Sequence, residues 1–389
     1  MPFPDGMNIA SKASKARSAV RTKADSFGNP RSEPEIFMRN SRASNRSRLS
    51  TRQRLGGAAV AAGVAFLAGA APAAQPQQPA KLSYGTNWLA EAEHGGFYQA
   101  IADGTYAKYS LDVTIVQGGP NSNGRLLMSS GKIDCFMGSD MINAMDAVVQ
   151  GLPTITVAGM FQKDPQVLIS HPGEGLDTFE SLKSARVIYV ARSSLGSFYQ
   201  WLESRWGFSP DNVAPYNFNA APFLADKKSI QQGYATSEPF AIEKLGGFKP
   251  NVFLFADYGF DTASTTIECR RDFVEQHADL VQRFVDATAI GWYHYLYGDN
   301  KAANELIKRD NPEMTDEQIA YSIAKLKEYG IVDSGDALTH GIGAMSDERM
   351  KSFYDQMAKA GVLPQGLDYK KAYTLQFVNK GVGLDLRPK

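Results

Sequence analysis

The sequence predicts an α/β protein of two lobes, each lobe a mostly parallel sheet flanked by helices. Three observations carry that expectation. From Lys81 onward, apolar runs of strand length alternate with stretches of helical period, the pattern that builds parallel sheets covered on both faces. The breaker His171-Pro172-Gly173-Glu174-Gly175 divides the alternation into two series. The 389 residues, 43% hydrophobic, supply apolar material for two ordinary cores and are short for three.

The first eighty residues stand outside this pattern. Asn45 to Arg54 is basic, Leu55 to Ala71 is apolar and small, and Ala71-Pro72-Ala73 offers small residues at alternate positions, which together read as an export signal cleaved near Ala73. The apolar stretch is short and Ala/Gly-rich against the roughly 20 good apolar residues of a spanning helix, so cleavage is expected rather than anchoring. Residues 1–74 are therefore a targeting segment, with Met1 and Met38 both open as the start. Arg52 and Arg54 are separated by Gln53, so the consecutive arginine pair of twin-arginine export is missing, and position 70 is Ala where a lipoprotein signal needs Cys.

The folded elements follow in order. Lys81 to Thr86 reads as a strand, His94 to Tyr109 as a helix and Asp112 to Gln117 as a strand, a βαβ opening. Asn123 to Ser130 gives a helix, Ile133 to Met137 a buried strand, Met141 to Gln150 a helix ended by Gly151-Leu152-Pro153, and Thr154 to Met160 a strand. Another strand, Gln166 to Ser170, precedes the breaker, taken as the first crossing between lobes. The second series runs through strand Arg186 to Val190, helix Ser197 to Gly207, strand Val213 to Phe218, helix Pro222 to Lys227, and strands at Gly233 to Thr236 and Val252 to Phe255. Around Thr262 to Glu268 the chain should cross back, with one long helix from Asp272 to Tyr297 and three further helices finishing the first lobe. The expected division is 75–172 with 265–389 as lobe I, and 173–264 as lobe II.

Composition narrows the function. Met1 to Ala80 hold 12 Lys and Arg against 4 Asp and Glu, leaving 29 basic and 37 acidic residues in the remainder. A basic tail that export removes, on an acidic body, opposes nucleic-acid binding. Cys135 and Cys269 are the two cysteines. They lie far apart, without Cys/His spacing for a metal; Cys135, in an apolar run, reads as a buried small hydrophobe, and a bridge is permitted but not demanded. The histidines, His94, His171, His277, His294 and His340, form no HExxH; neither a GxSxG nucleophile nor a Walker loop occurs, and nothing calls for a cofactor.

Binding features lie at strand ends. Asn87-Trp88 closes the first strand and His94-Gly95-Gly96-Phe97-Tyr98 opens the next helix, where ligands of open α/β sheets sit. Trp88, Phe97 and Tyr98 could stack on a planar molecule and His94 hydrogen-bond it, although each aromatic also suits a core. Ser139, in Gly138-Ser139-Asp140, is expected to cap the following helix and to face the cleft. Ser193-Ser194-Leu195-Gly196-Ser197 opens a helix after a strand and resembles an anion-binding helix start. Glu238 stands at the matching strand end of the second lobe, where a carboxylate accepts hydrogen bonds from amino groups and repels anions.

At these residues the sequence resembles the solute-binding family of nitrate, sulfonate and taurine importers, in the branch similar to thiamine-pyrimidine precursor binders and the fungal pyrimidine synthase. The carriers are GTNWLAEAEHGGFYQAIADGTY, GKIDCFMGSDMINAMDAVVQGLP, SLKSARVIYV, GYATSEPF and ADYGFD, over roughly Lys81 to Gly361. The resemblance implies a type II periplasmic-binding-protein fold whose lobes close on a ligand by hinge bending. It implies a periplasmic monomer that captures a small planar heterocycle and delivers it to an ABC permease and its ATPase. It places Trp88, His94, Tyr98, Ser139 and Phe161 on the first lobe's wall and Gly196, Ser197, Tyr199 and Glu238 on the second's. The branch carries a Pro-Asn-Thr-Asn-His type stretch where this chain has Leu89-Ala90-Glu91-Ala92-Glu93-His94. A small oxyanion such as an alkyl sulfonate, taurine or nitrate is the alternative ligand. The synthase relatives use a cysteine-rich motif and iron, and the lack of a cysteine cluster here opposes their chemistry.

Overall fold

The protein is represented by a computed structural model that describes residues 78–119 and 122–389; the expected export signal lies outside the described residues. Ten strands form two sheets: β1 (Ala80–Gly85), β2 (Leu111–Val116), β3 (Cys135–Gly138), β4 (Thr154–Phe161), β5 (Gln166–Ser170), β6 (Val187–Val190), β7 (Val213–Pro215), β8 (Ser229–Tyr234), β9 (Asn251–Leu254) and β10 (Ser264–Arg270). The first sheet has the order β2-β1-β3-β10-β4 and the second β7-β6-β8-β5-β9. In each, one strand runs antiparallel to the rest: β10 against β3 and β4, and β5 against β8 and β9. The other adjacent pairs are parallel. Each antiparallel strand is the one that has just arrived from the other lobe, so the two lobes share one topology. This is the two-lobe, mostly parallel α/β architecture that the alternation predicts.

The first crossing is earlier than expected. The chain leaves the first sheet at Phe161 and enters the second at Gln166, so residues 162–165 cross and the breaker at 171–175 follows a strand already in lobe II. Gln162 and Asp164 are buried here: the Gln162 amide donates to the Ala344 carbonyl at 2.9 Å, and the Asp164 carboxylate accepts from the Gln166 N–H at 2.9 Å. Polar groups satisfied in this way let an irregular segment lie buried. The return crossing lies between Leu254 and Ser264.

The helices are α1 (Gly95–Ala102), α2 (Thr105–Lys108), α3 (Gly124–Ser129), α4 (Met141–Val149), α5 (Phe198–Trp206), α6 (Ala221–Ala225), α7 (Glu238–Gly246), α8 (Arg271–Gln276), α9 (Ala278–Tyr297), α10 (Lys301–Asp310), α11 (Asp316–Glu328), α12 (Ala337–His340) and α13 (Asp347–Lys359). Two expected helices are interrupted. The run from His94 to Tyr109 breaks at Gly104, which takes the left-handed φ of 74°, and Asp103 accepts the Thr105 N–H at 2.9 Å to restart it. The run from Asp272 to Tyr297 breaks at His277, whose φ of −131° leaves the helical region without a Gly or Pro to signal it. Asp140, not Ser139, caps α4: its carboxylate accepts from the N–H groups of Ile142 at 2.8 Å and Asn143 at 3.2 Å.

In lobe I, α1 lies on α9 around Gly95 and Gly96. A Cβ on Gly95 would collide with the Tyr295 ring, and one on Gly96 with the Trp292 indole. Phe97 then stacks on Tyr84 with centroids 4.5 Å apart, and Trp292 meets Phe97 and Phe161 edge-on. Burying such a side chain stabilises the fold by about 2–3 kcal/mol. Lobe II centres on Phe198, Trp201 and Phe255, with Phe179 stacked on Tyr258. Cys135 and Cys269 are directly opposed on β3 and β10, with Cα atoms 4.2 Å apart, and form a disulfide. Cys135 is buried as expected, and the bridge the sequence left open is made: register unites residues that sequence separation kept apart.

Candidate functional site

Between the lobes lies a cavity of about 340 Å³ walled by the cleft-facing ends of strands from both sheets. Lobe I contributes Asn87, Trp88 and Glu91 after β1 and Ser139, Asp140 and Asn143 at the start of α4. Lobe II contributes Gln166 on β5, Ser194 and Ser197 before α5, Phe218 after β7, Tyr234 on β8 and Glu238 at the start of α7. Parallel strands deliver their carboxyl ends and helix N-termini to one edge, so this placement follows from the topology.

The charged side chains on the wall are carboxyls, Glu91, Asp140 and Glu238, set among serines and amides. Glu238 accepts the Tyr234 N–H at 2.7 Å and the Tyr216 hydroxyl at 3.3 Å, yet burial raises its pKa above the ordinary value. Burial raises Glu91 well above the ordinary value, with Glu93 and Glu238 adding repulsion. Asp140 is also raised by burial, against the opposing hydrogen bonds to Asn143. Two further carboxyls stand behind the wall. Burial pushes Glu93 up to about 7 while the Thr236 hydroxyl, donating to it across the lobes, pulls the other way; its Oε2 has no partner among the described residues. Asp164 at the crossing is likewise pushed up to about 7, by burial and then by Asp140.

No Lys or Arg is among the described residues that line the cavity. Arg125 lies behind α4 but is committed to Glu268, with Nη2 2.9 Å from the carboxylate. His94 Nε2 is 3.8 Å from Glu91, but burial lowers the imidazole to about 3, so it is neutral at pH 7 and forms no ion pair. Such a wall offers carboxyl acceptors to hydrogen-bond donors and no positive side chain to an anion. The opposite side is different in kind: Ser197 precedes α5 without a side-chain cap, leaving the helix start for an acceptor. Among the described residues no group of His, Cys, Asp and Glu suits a metal ion.

Five expected site residues line the cavity: Asn87, Trp88, Ser139, Ser197 and Glu238. The other six do not. Phe97, Tyr98, Phe161 and Tyr199 are core, the Tyr98 hydroxyl donating to Asp310 at 3.0 Å and that of Tyr199 to the Ser209 carbonyl at 2.7 Å. His94 is buried behind Glu91, and Gly196 faces solvent between the two serines that do reach the cavity. The Gly95-Gly96 pair serves the α1–α9 contact, which turns the aromatics after it inward. Glu91, Asp140, Asn143, Phe218 and Tyr234 were missed. Asp140 and Tyr234 stand at strand ends where the same rule points; Glu91 and Phe218 lie in loops whose direction no local pattern sets.

Residues 91–302, more than half of the chain, match the family described as NMT1/THI5 like. The chain belongs to the NMT1/THI5-like family. It is 25% identical over 321 residues to the riboflavin-binding protein RibY of Chloroflexus aurantiacus, covering 80% of this chain and 89% of that protein. It is 27% identical over 146 residues to the 4-amino-5-hydroxymethyl-2-methylpyrimidine phosphate synthase of Schizosaccharomyces pombe, covering 37% of this chain and 42% of that protein. In fold it is similar to the alkanesulfonate-binding protein SsuA of Xanthomonas axonopodis pv. citri, solved bound to MOPS, with a TM-score of 0.55, 15% identity, and coverage of 76% of this chain and 99% of that one. The periplasmic aliphatic sulphonate binding protein SsuA of Escherichia coli also has a TM-score of 0.55, at 13% identity over 77% of this chain and 92% of that one. The family member therefore has the periplasmic-binding-protein fold, as its resemblance implied.

Proposed function

We propose that this protein is the exported solute-binding subunit of an ABC importer, and that its cleft captures a small planar heterocycle bearing amino groups, of the thiamine-pyrimidine precursor kind. One observation carries the choice of ligand: Glu91, Asp140 and Glu238 line a cavity whose described wall has no Lys or Arg. An amino group supplies the donors these carboxyls need, and Trp88 supplies an aromatic face. A sulfonate or nitrate would meet three carboxyl groups and no Lys or Arg countercharge, with the α5 helix start alone to favour it. Similarity over 80% of the chain to a riboflavin-binding protein and partial similarity to pyrimidine phosphate synthases support a nitrogen heterocycle. The reading is of a binder rather than a synthase, because the chain's two cysteines are tied to each other in a buried bridge.

Calorimetric titration of the purified protein with 4-amino-5-hydroxymethyl-2-methylpyrimidine, taurine, an alkyl sulfonate and nitrate tests this. The aminopyrimidine is expected to bind, with affinity about tenfold weaker in Trp88→Ala through loss of aromatic contact. Glu238→Gln should weaken it about tenfold by replacing a carboxyl acceptor with an amide. Binding of the sulfonate or nitrate alone would overturn the ligand class, as would unchanged affinity in both variants.

A further inference from the structure

The mouth of the cavity carries a feature that ligand chemistry alone leaves unexplained. Phe218 is a large apolar residue with 48% of its surface exposed, and its φ of 57° is left-handed, a conformation that side chains other than Gly rarely take. Such backbone persists where surrounding contacts hold it, and it concentrates at functional sites. The contact here is across the lobes: the Phe218 ring, from the loop after β7, lies against Trp88, from the loop after β1, with centroids 4.5 Å apart and planes tilted by 48°. Tyr216 braces it from behind at 5.2 Å.

A flat ligand held between two aromatic faces needs them about 7 Å apart, twice the carbon contact distance. Trp88 and Phe218 leave no such slot. They meet as a lip over a cavity that, at about 340 Å³, stands at the small end of the range for ligand pockets. We propose that Phe218 is a specificity-determining gate: its ring closes against Trp88 over the cleft, limits the closed cavity to a single-ring ligand, and swings aside for entry and release. This rests on the reading of the cleft as a heterocycle site.

Phe218→Ala and Phe218→Tyr, compared with wild type, test the gate. The probes are 4-amino-5-hydroxymethyl-2-methylpyrimidine and riboflavin, followed by stopped-flow fluorescence and calorimetry. Wild type should prefer the single-ring compound; Phe218→Ala should release it at least about tenfold faster and gain affinity for riboflavin, while Phe218→Tyr keeps slow release and the size limit. Equal wild-type affinity for both compounds, or an unchanged release rate in Phe218→Ala, overturns the gate. A ligand-free arm separates this from failure of the ligand assignment. Trp88 emission, isolated by subtracting Trp88→Phe spectra, should become more accessible to acrylamide in Phe218→Ala. If wild type binds neither compound the ligand assignment falls; if Trp88 quenching is unchanged by Phe218→Ala the lip itself is refuted.

Discussion

Glu93 shows how a single residue couples the cleft to pH. It is 2% exposed, and burial pushes it from the ordinary 4.5 up to about 7, so the folded chain holds this proton more tightly than the unfolded chain does. The stability it contributes is fully present below pH 4.5 and is lost as pH rises through 7. Glu91, Asp140, Asp164 and Glu238 are shifted in the same direction by burial, so they add to the trend. The unliganded protein should therefore melt at lower temperature at pH 8 than at pH 5. Glu93→Gln should remove on the order of 3 kcal/mol of that fall, at 1.36 kcal/mol per pKa unit. Melting curves across this range decide it: a slope identical in wild type and variant would mean that Glu93 ionises freely in the folded protein.

Elements explain what the sequence made legible and what it hid. The alternation of strand and helix was visible except at β10, whose residues read as the return crossing, and strand ends then pointed to Asn87, Trp88, Ser139 and Glu238. Phe97 and Tyr98 misled because a strand-end position does not set side-chain direction; the crossing of α1 on α9, permitted by Gly95 and Gly96, turns them into the core. Phe218 was hidden because the strand expected to run to it stops at Pro215, and Phe218 follows in a loop with a left-handed φ between two asparagines. The disulfide was equally hidden, since β10 reaches β3 only after the chain has built the whole second lobe. That detour separates the cysteines by 134 residues, so the bridge closes a long loop in the unfolded chain. The double variant Cys135→Ser/Cys269→Ser should be less stable by about 3–5 kcal/mol in urea unfolding. Reduced wild type should match the variant; equal midpoints for the oxidised protein and the variant would show that the bridge does not constrain the unfolded chain.

For the whole molecule, the question is what holds the lobes together over the cleft. Helix α11 packs beside the Ala92–His94 turn of lobe I and reaches across to lobe II. The Ser322 hydroxyl donates to the Thr236 carbonyl at 2.7 Å in a buried contact, and the Tyr321 ring lies 5.4 Å from that of Phe240. Lys244 and Glu317 add an exposed pair at 2.7 Å, a type of contact that contributes about 0–1 kcal/mol. Thr236 is the shared member, because its hydroxyl also reaches Glu93. If the lobes part by hinge bending, water reaches the Thr236 carbonyl in the open form, so removing the Ser322 hydroxyl penalises the closed form alone. Leaving a buried carbonyl without its donor costs about 1–3 kcal/mol, which shifts the closing equilibrium and weakens ligand affinity by roughly five- to 150-fold. Ser322→Ala should accordingly show a larger radius of gyration by small-angle scattering without ligand, and regain the wild-type value at saturation. A weaker affinity with unchanged scattering would place the effect in the binding wall instead, and wild-type values of both would mean that α11 is not part of the closing equilibrium.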